Sequence, residues 1–187
     1  MATAFELPAL SAAAGFYAQR MRSNPIATKS LTAAIIFGAS DATAQKIEAS
    51  SDLRRTAVTS AIGGIYFAPA AHFWYDWITT AIPGSTLPRI LAKALLGQLI
   101  FGPLVTCVFF AAAAAQSPEG IRSFPAKLKT DFLSVQLSGM GFWPFVDLVS
   151  FSCVPVPYIA LFINAASFVW TIFLSLKASR KGKSQEK

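Results

Sequence analysis

Charged side chains are scarce in this sequence, and acidic ones are scarcer than basic ones. Only 13% of the 187 residues are charged, with 9 acids against 16 bases. A soluble domain carries roughly a quarter of its residues as charged ones. Hydrophobic residues make up 54% of this chain, and its mean hydropathy is +0.51. The low charge content therefore predicts a membrane protein.

The excess of basic residues also excludes a partner class. A net charge of +7 could indicate a nucleic-acid-binding protein, but such proteins gather their charge on one face. Here the Lys and Arg residues flank apolar runs instead. We therefore expect the lipid bilayer and small solutes as partners, expect no nucleic acid, and leave homo-oligomer formation open.

Residues that support chemistry are few. His72 is the only histidine, and Cys107 and Cys153, the only cysteines, both lie within apolar runs. Two such thiols build neither a disulfide framework nor a metal site. A Gly-rich phosphate loop and a Ser-His-Asp spacing are also missing. We expect no enzyme, no metal and no cofactor.

The first residues lack the features of a cleaved targeting signal. No basic residue precedes the short apolar run at residues 9–16, and Arg20 is the first arginine. A secretory signal has its basic residues first, and a mitochondrial transit peptide is rich in Arg. We predict that residues 1–25 form an interfacial segment.

Long apolar runs are the most prominent feature of the sequence. Residues 142–176 contain one acid, Asp147, and residues 158–176 contain no charge at all. At about 1.5 Å per residue, 19 residues cover the roughly 30 Å hydrocarbon core of a bilayer. This run ends at a basic tail, residues 177–187, where a helix would leave lipid for water.

Five apolar segments predict an all-α, multi-span helical integral membrane bundle formed by one domain, residues 1–187. We expect four transmembrane helices, at residues 58–82, at 90–115, from 135 and at 158–176. Residues 26–47 would form a polar or amphipathic helix that is interfacial or packed into the bundle. If that helix does not cross, 14 of the 16 basic residues share one membrane face, as the positive-inside rule favours.

Six polar side chains lie at membrane depth in this arrangement. Each is costly there unless it faces protein, water or a partner, so each is a candidate pore-lining group. The alternative is that they hold helices together through hydrogen bonds. Three prolines would kink the spans in which they lie, namely Pro69, Pro103 and Pro144. The polar candidates are Asp41, Gln45, His72, Gln98, Asp147 and Asn164.

The spacing of these residues resembles the Mpv-seventeen / peroxisomal membrane protein 22 family from residue 17 to residue 177. Ser40-Asp41 with Gln45-Lys46 is similar to the family's first helix, and Trp143-Pro144 opens its strongest signature. The resemblance implies a structural role for one set of residues in particular. These are Pro69, Trp74, Tyr75, Pro103, Trp143, Pro144, Pro155 and Trp170.

Four positions depart from the family pattern. Gly97 stands where the family commonly has an acid, and Asp147 where it has Gln or Gly. Ser150 and Ile159 stand where it has Asn and Arg. Because these changes alter the charge within the spans, ion preference cannot be transferred from the family.

The resemblance implies an organelle membrane channel-like protein that allows or modulates the passage of small solutes and contributes to organelle homeostasis. The alternative is a non-transporting scaffold that supports organelle biogenesis or recruits partners. The ending Phe-Leu-Ser-Leu-Lys-Ala and the absence of early arginines favour the peroxisomal membrane over the mitochondrial inner membrane. The solute, its gating and the oligomeric state are left open.

Overall fold

The structure, a computed structural model, describes the backbone of residues 8–185 and the side chains of residues 15–172. All regular secondary structure in the described backbone is helical, which confirms the all-α class. The predictions for residues 1–7 of the N-terminal segment and for the side chains of the basic tail, residues 177–187, lie outside the described residues.

The helices contain the predicted apolar segments, but several of them begin earlier than predicted. They are α1 (Pro8–Ser23), α2 (Pro25–Ile47), α3 (Leu53–Ala61), α4 (Ala68–Ala81), α5 (Leu87–Leu96), α6 (Gly102–Ala115), α7 (Phe124–Met140), α8 (Trp143–Cys153) and α9 (Val156–Gln185). The π-helical segments Ile62–Phe67 and Gly97–Phe101 connect α3 to α4 and α5 to α6. A 3-10 turn, Gly120–Ser123, precedes α7.

Local signals set both ends of α2. Pro25 occupies the first turn after Asn24, where its missing N–H leaves no helical bond unmade. At the other end Ala49 has a positive φ of 53°, and the Ser50 N–H donates to the Gln45 carbonyl at 2.9 Å. Glycine is the usual residue at this left-handed position. The chain then turns back into α3 at Leu53.

The three prolines that were predicted to kink their helices lie in two kinds of local geometry. Pro69 and Pro103 are the second residues of α4 and α6, and a π-helical segment comes directly before each helix. A proline ring clashes with the carbonyl four residues earlier in a regular helix, and the wider π turn relieves that clash. Pro144 is the second residue of α8, whose axis is bent by 46° from the preceding helix.

The sequence predicts a span from residue 135, but the helix that leads into this span begins earlier. The helix begins at Phe124, because Pro125 occupies its first turn and the Lys, Leu and Thr residues that follow continue it. The sequence did not indicate that this helix begins at Phe124, because no apolar run lies between Phe124 and residue 135. The predicted fourth run is therefore a pair of helices, α7 and α8, rather than one helix.

Span length varies strongly among the helices. The continuous helix Leu87–Ala115 is long and apolar enough to cross a bilayer, and the bent pair Gly120–Met140 and Trp143–Cys153 adds a second span if it is counted as one. Within the side chains that the structure describes, α9 contributes the shorter apolar stretch Val156–Ile172. Among the described residues, then, one or two helices meet this criterion, whereas four spans were predicted.

The core lies where α2, α4, α8 and α9 meet. Helix α2 forms a hairpin with the continuous helix 53–81, and its other side packs along α9. Large apolar residues such as Leu91, Leu95 and Leu99 remain on the outside, as expected for a surface that contacts lipid. The central buried cluster comprises Phe37, Phe67, Ala71, Tyr75, Ile78, Ile90, Phe151, Ile159, Ala160 and Ile163.

Candidate functional site

Asp147 is the most deeply placed acid of the bent helix pair. It lies on the inward face of α8, with only 6% of its surface exposed. The side chain of Gln98, in the π-helical segment between α5 and α6, hydrogen-bonds to its carboxylate. A Cβ atom on Gly97 would lie 3.5 Å from Asp147 Oδ2. Two of the six polar candidates are thus brought together by the packing of α5 against α8.

No cation pairs with this carboxylate within the described side chains, where Arg55 makes the ion pairs. Lys93 is buried on α5, but its ammonium donates to the Gly84 carbonyl at 2.9 Å and lies 4.7 Å from the centre of the Phe151 ring. The buried phenol of Tyr75 lies close enough to Asp147 for the two groups to interact electrostatically. We call Asp147, Gln98 and Gly97 the Asp147 site.

Asp41 and Gln45 form a different cluster at the end of α2. Gln45 Nε2 donates to Asp41 Oδ2 at 2.6 Å, as their spacing of four residues predicts. Arg55 Nε donates to Asp41 Oδ1 at 2.8 Å, and Thr56 Oγ1 donates to Asp41 Oδ2 at 2.8 Å. Arg55 Nη1 also donates to Glu48 Oε2 at 2.6 Å. We call these five residues the Arg55 clamp.

The clamp joins α2 to α3 across the turn at residues 48–52. Arg55 on α3 thus pairs with Asp41 of α2 at 2.8 Å and with Glu48 of the turn at 2.6 Å. Arg55 is not among the candidates that the sequence indicates. No local sequence pattern predicts that Asp41 contacts Arg55. The two residues meet only because the chain turns back between α2 and α3.

His72 has a partner that the sequence did not reveal. Lys29 on α2 is 5% exposed, and its Nζ lies 3.1 Å from His72 Nδ1 on α4. An ammonium group can only donate, so Nδ1 accepts and the neutral ring carries its proton on Nε2. Asp76, one turn further along α4, is exposed and acts on both groups electrostatically. The sequence feature that could have indicated this contact is Lys29 itself, a single lysine within an apolar helical run.

Asn164 lies apart from the other polar candidates. It is 1% exposed on α9, and its Oδ1 has no hydrogen-bond partner among the described residues. The same holds for Ser40 Oγ on α2, the helix that packs along α9. The six candidates therefore occupy four separate places, and their role in a pore stays a prediction.

The family-motif residues mostly lie at aromatic contacts between helices. Trp143 and Trp170 have ring centres 5.9 Å apart, and Phe142 stacks on Trp170 at 5.1 Å. Trp74 stacks on Phe101 at 5.4 Å. Pro155 is exposed in the short connection between α8 and α9. Ile159, one of the four positions that depart from the family pattern, is buried in the core.

The chemistry that these sites offer is recognition rather than metal binding. The described residues hold no group of three or more His, Cys, Asp or Glu side chains placed to bind a metal ion. The Asp147 site combines a carboxylate with an amide, which can exchange hydrogen bonds with water or a polar solute.

Comparison with known proteins identifies the family. The profile described as "Mpv17 / PMP22 family" matches residues 113–175. The chain is similar to protein sym-1 of Neurospora crassa, with 30% identity over 86% of this chain and 95% of the relative. It is also similar to peroxisomal membrane protein PMP22 of Arabidopsis thaliana, with 26% identity over 87% of each chain.

A third similarity is to PXMP2/4 family protein 4 of Dictyostelium discoideum, with 25% identity over 90% of this chain and 95% of the relative. No solved structure matches. Together with the helical fold, these similarities establish that the chain belongs to the Mpv17 / PMP22 family of peroxisomal or mitochondrial membrane proteins.

Proposed function

We propose that this protein is a channel-like component of an organelle membrane that allows or modulates the passage of small solutes, and that Asp147 lies on the solute path. The proposed role is passage rather than catalysis. The observation that carries the proposal is the buried Asp147 carboxylate, which has an amide partner and no ion pair among the described residues.

An ionised Asp147 would carry a charge without a counter-charge among the described residues. An ionised carboxylate at the centre of a bilayer costs at least about 2.5–3.5 kcal/mol, even on the most permissive scale. Gln98 supplies one hydrogen bond, whereas a carboxylate can accept about four. Contact with water or a passing solute would satisfy the remaining sites. A carboxylate in that place would favour cations, as acidic rings do in cation channels.

The proposal includes a bundle of four spans, with α2 packed beside them. These would be the helix 53–81, the helix 87–115, the bent pair α7–α8, and α9. Arg54, Arg55 and Asp76 lower the hydropathy of the first of these. A packed helix tolerates such residues when they meet protein partners, and Arg55 has its partners in Asp41 and Glu48.

A non-transporting scaffold is the second candidate. Its support is that several buried polar groups are engaged within the bundle, as in the Arg55 clamp and the Lys29–His72 contact. Polar groups used in this way stabilise helix packing and need no lumen. Release of small solutes from proteoliposomes separates the candidates, because a scaffold would leave the liposomes as tight as protein-free ones.

For the organelle, we favour the peroxisomal membrane over the mitochondrial inner membrane. The motif Phe-Leu-Ser-Leu-Lys-Ala at residues 173–178 resembles the peroxisomal branch of the family. Imaging a tagged full-length chain against markers of both organelles decides between them. Coincidence with the mitochondrial marker alone would overturn this preference.

Asp147→Asn tests the channel proposal directly. The change keeps the shape of the side chain and removes its charge, so it should weaken cation preference in reconstituted bilayers while the protein still folds. Asp131→Asn is the matched control, because Asp131 is exposed on α7. Reversal potentials in a salt gradient report the preference. A conducting wild type whose reversal potential is unchanged by Asp147→Asn would remove Asp147 from the path.

A further inference from the structure

Two basic side chains converge on the turn that joins α4 to α5. Arg89 and Lys93 are one helical turn apart on α5, so they lie on the same face. Lys93 Nζ is 2.9 Å from the Gly84 carbonyl oxygen. Arg89 Nη1 lies 2.6 Å from the point where a Cβ atom on Gly84 would be. Both cationic groups therefore lie against the same residue.

Neither cation has a carboxylate partner among the side chains that the structure describes. Ion pairs among the side chains of residues 15–172 involve Arg55, and neither Arg89 nor Lys93 takes part. The charge that acts on Lys93 is the like charge of Arg89. Residues 82–86 contain no acid, and Asp147, on the helix packed against α5, is engaged by Gln98. The positive charge of this pair is thus uncompensated within the described residues.

The two side chains differ in a way that suits a binding site. Lys93 is 3% exposed and is held in place by the Gly84 carbonyl and the Phe151 ring. Its ammonium has three N–H donors, and the carbonyl accepts from one of them. Arg89 is exposed and makes no hydrogen bond or ion pair with another described residue. Its planar guanidinium is therefore available for two parallel hydrogen bonds to oxygen atoms.

We propose that Arg89 and Lys93 form a binding site for a phosphate group. A phosphate group supplies several acceptor oxygens, which match the forked donors of Arg89 and the fixed donor of Lys93. Its negative charge compensates two neighbouring cations. The group can belong to a phosphorylated solute in water or to the headgroup of an anionic lipid. Leu87 and Leu91 on the same helix are exposed, so a lipid could pack beside the pair.

The test uses the full-length protein in nanodiscs of pure phosphatidylcholine. Thermal unfolding is followed while inorganic phosphate is added, with chloride at equal ionic strength as the reference, because salt alone screens surface charge. A second arm replaces part of the lipid with phosphatidic acid. Stabilisation by inorganic phosphate assigns the site to soluble phosphorylated ligands. Stabilisation by phosphatidic acid alone assigns it to lipid headgroups.

Arg89→Gln is the decisive variant, because Arg89 makes no bond on which the fold depends. Loss of its charged hydrogen bonds should weaken binding about tenfold or more. Arg122→Gln is the matched control, since Arg122 is exposed on the 3-10 turn before α7. Lys93→Gln should weaken binding too, and Lys93→Arg should restore it in part. A wild type stabilised by neither probe, or equal binding by Arg89→Gln, overturns the proposal.

Discussion

Asp147 Oδ2 lies 3.5 Å from the point where a side chain on Gly97 would begin. The family resemblance implies that an acid commonly stands at position 97 and Gln or Gly at position 147, where this chain has Gly97 and Asp147. A carboxylate in this chain therefore occupies the space beside residue 97, but it is attached to α8 rather than to the α5–α6 helix. The absence of a side chain at Gly97 leaves room for it.

The first prediction concerns moving the carboxylate from position 147 to position 97. Gly97→Asp should destabilise the protein, because it places two carboxylates side by side away from water. The double variant Gly97→Asp with Asp147→Gln should recover stability, with a coupling of about 0.5–3 kcal/mol between the sites. Unfolding in detergent micelles measures both. Gly97→Ala is the control, since its Cβ would make an ordinary contact. If the changes in unfolding free energy of the two single variants simply add in the double variant, the side chains at positions 97 and 147 do not interact.

The second prediction concerns the Arg55 clamp. Arg55→Gln should lower the free energy of unfolding by about 1–3 kcal/mol, because the buried Asp41 carboxylate loses its charged partner. Arg54→Gln, the neighbouring exposed arginine, should change it by less than about 0.5 kcal/mol. Denaturation of the two variants in the same detergent gives the comparison. Equal losses would show that the ion pair contributes nothing beyond a surface charge.

The third prediction concerns the crossing of α2 with the π-helical segment Ile62–Phe67. A Cβ atom on Gly63 would lie 2.7 Å from Phe37 Cγ and 2.9 Å from the Ala33 carbonyl oxygen. Gly63→Ala should therefore cost about 1–3 kcal/mol through overpacking. Gly38→Ala, on the other side of the crossing, would meet Ser60 at an ordinary 3.5 Å and should be tolerated. Thermal unfolding that ranks Gly38→Ala as the more damaging change would refute this packing.

The fourth prediction concerns sidedness. In the proposed four-span bundle, residues 48–55, residues 116–129 and the C-terminal tail share one membrane face. Cysteines introduced at Ser51, Ser123 and Ser184, with Cys107 and Cys153 replaced by alanine, should react with an impermeant reagent from the same side of sealed organelles. A cysteine at Ser85 should react only from the other side. Labelling that splits the first three sites rules out this arrangement.

Local signals in the sequence determined the helical class and most helix boundaries. The bounds of α2 follow from Pro25 and the polar residues after Ile47, and the helix ending at Ala115 follows from its apolar run. These signals act over about one helical turn, through capping, missing N–H groups and apolar periodicity. The start of α7 at Phe124 was missed because a helix can continue through polar residues without an apolar run.

The sequence by itself also determined which residues must avoid lipid, since Asp41, Gln45 and Asp147 are costly there whatever the fold. Only the tertiary structure decided their partners: Arg55 for Asp41, Gln98 for Asp147, and Lys29 for His72. The free-energy cost of placing a polar group in lipid depends only on that side chain and its surroundings. A partner is chosen by how helices distant in sequence cross and pack, and no local pattern encodes that choice.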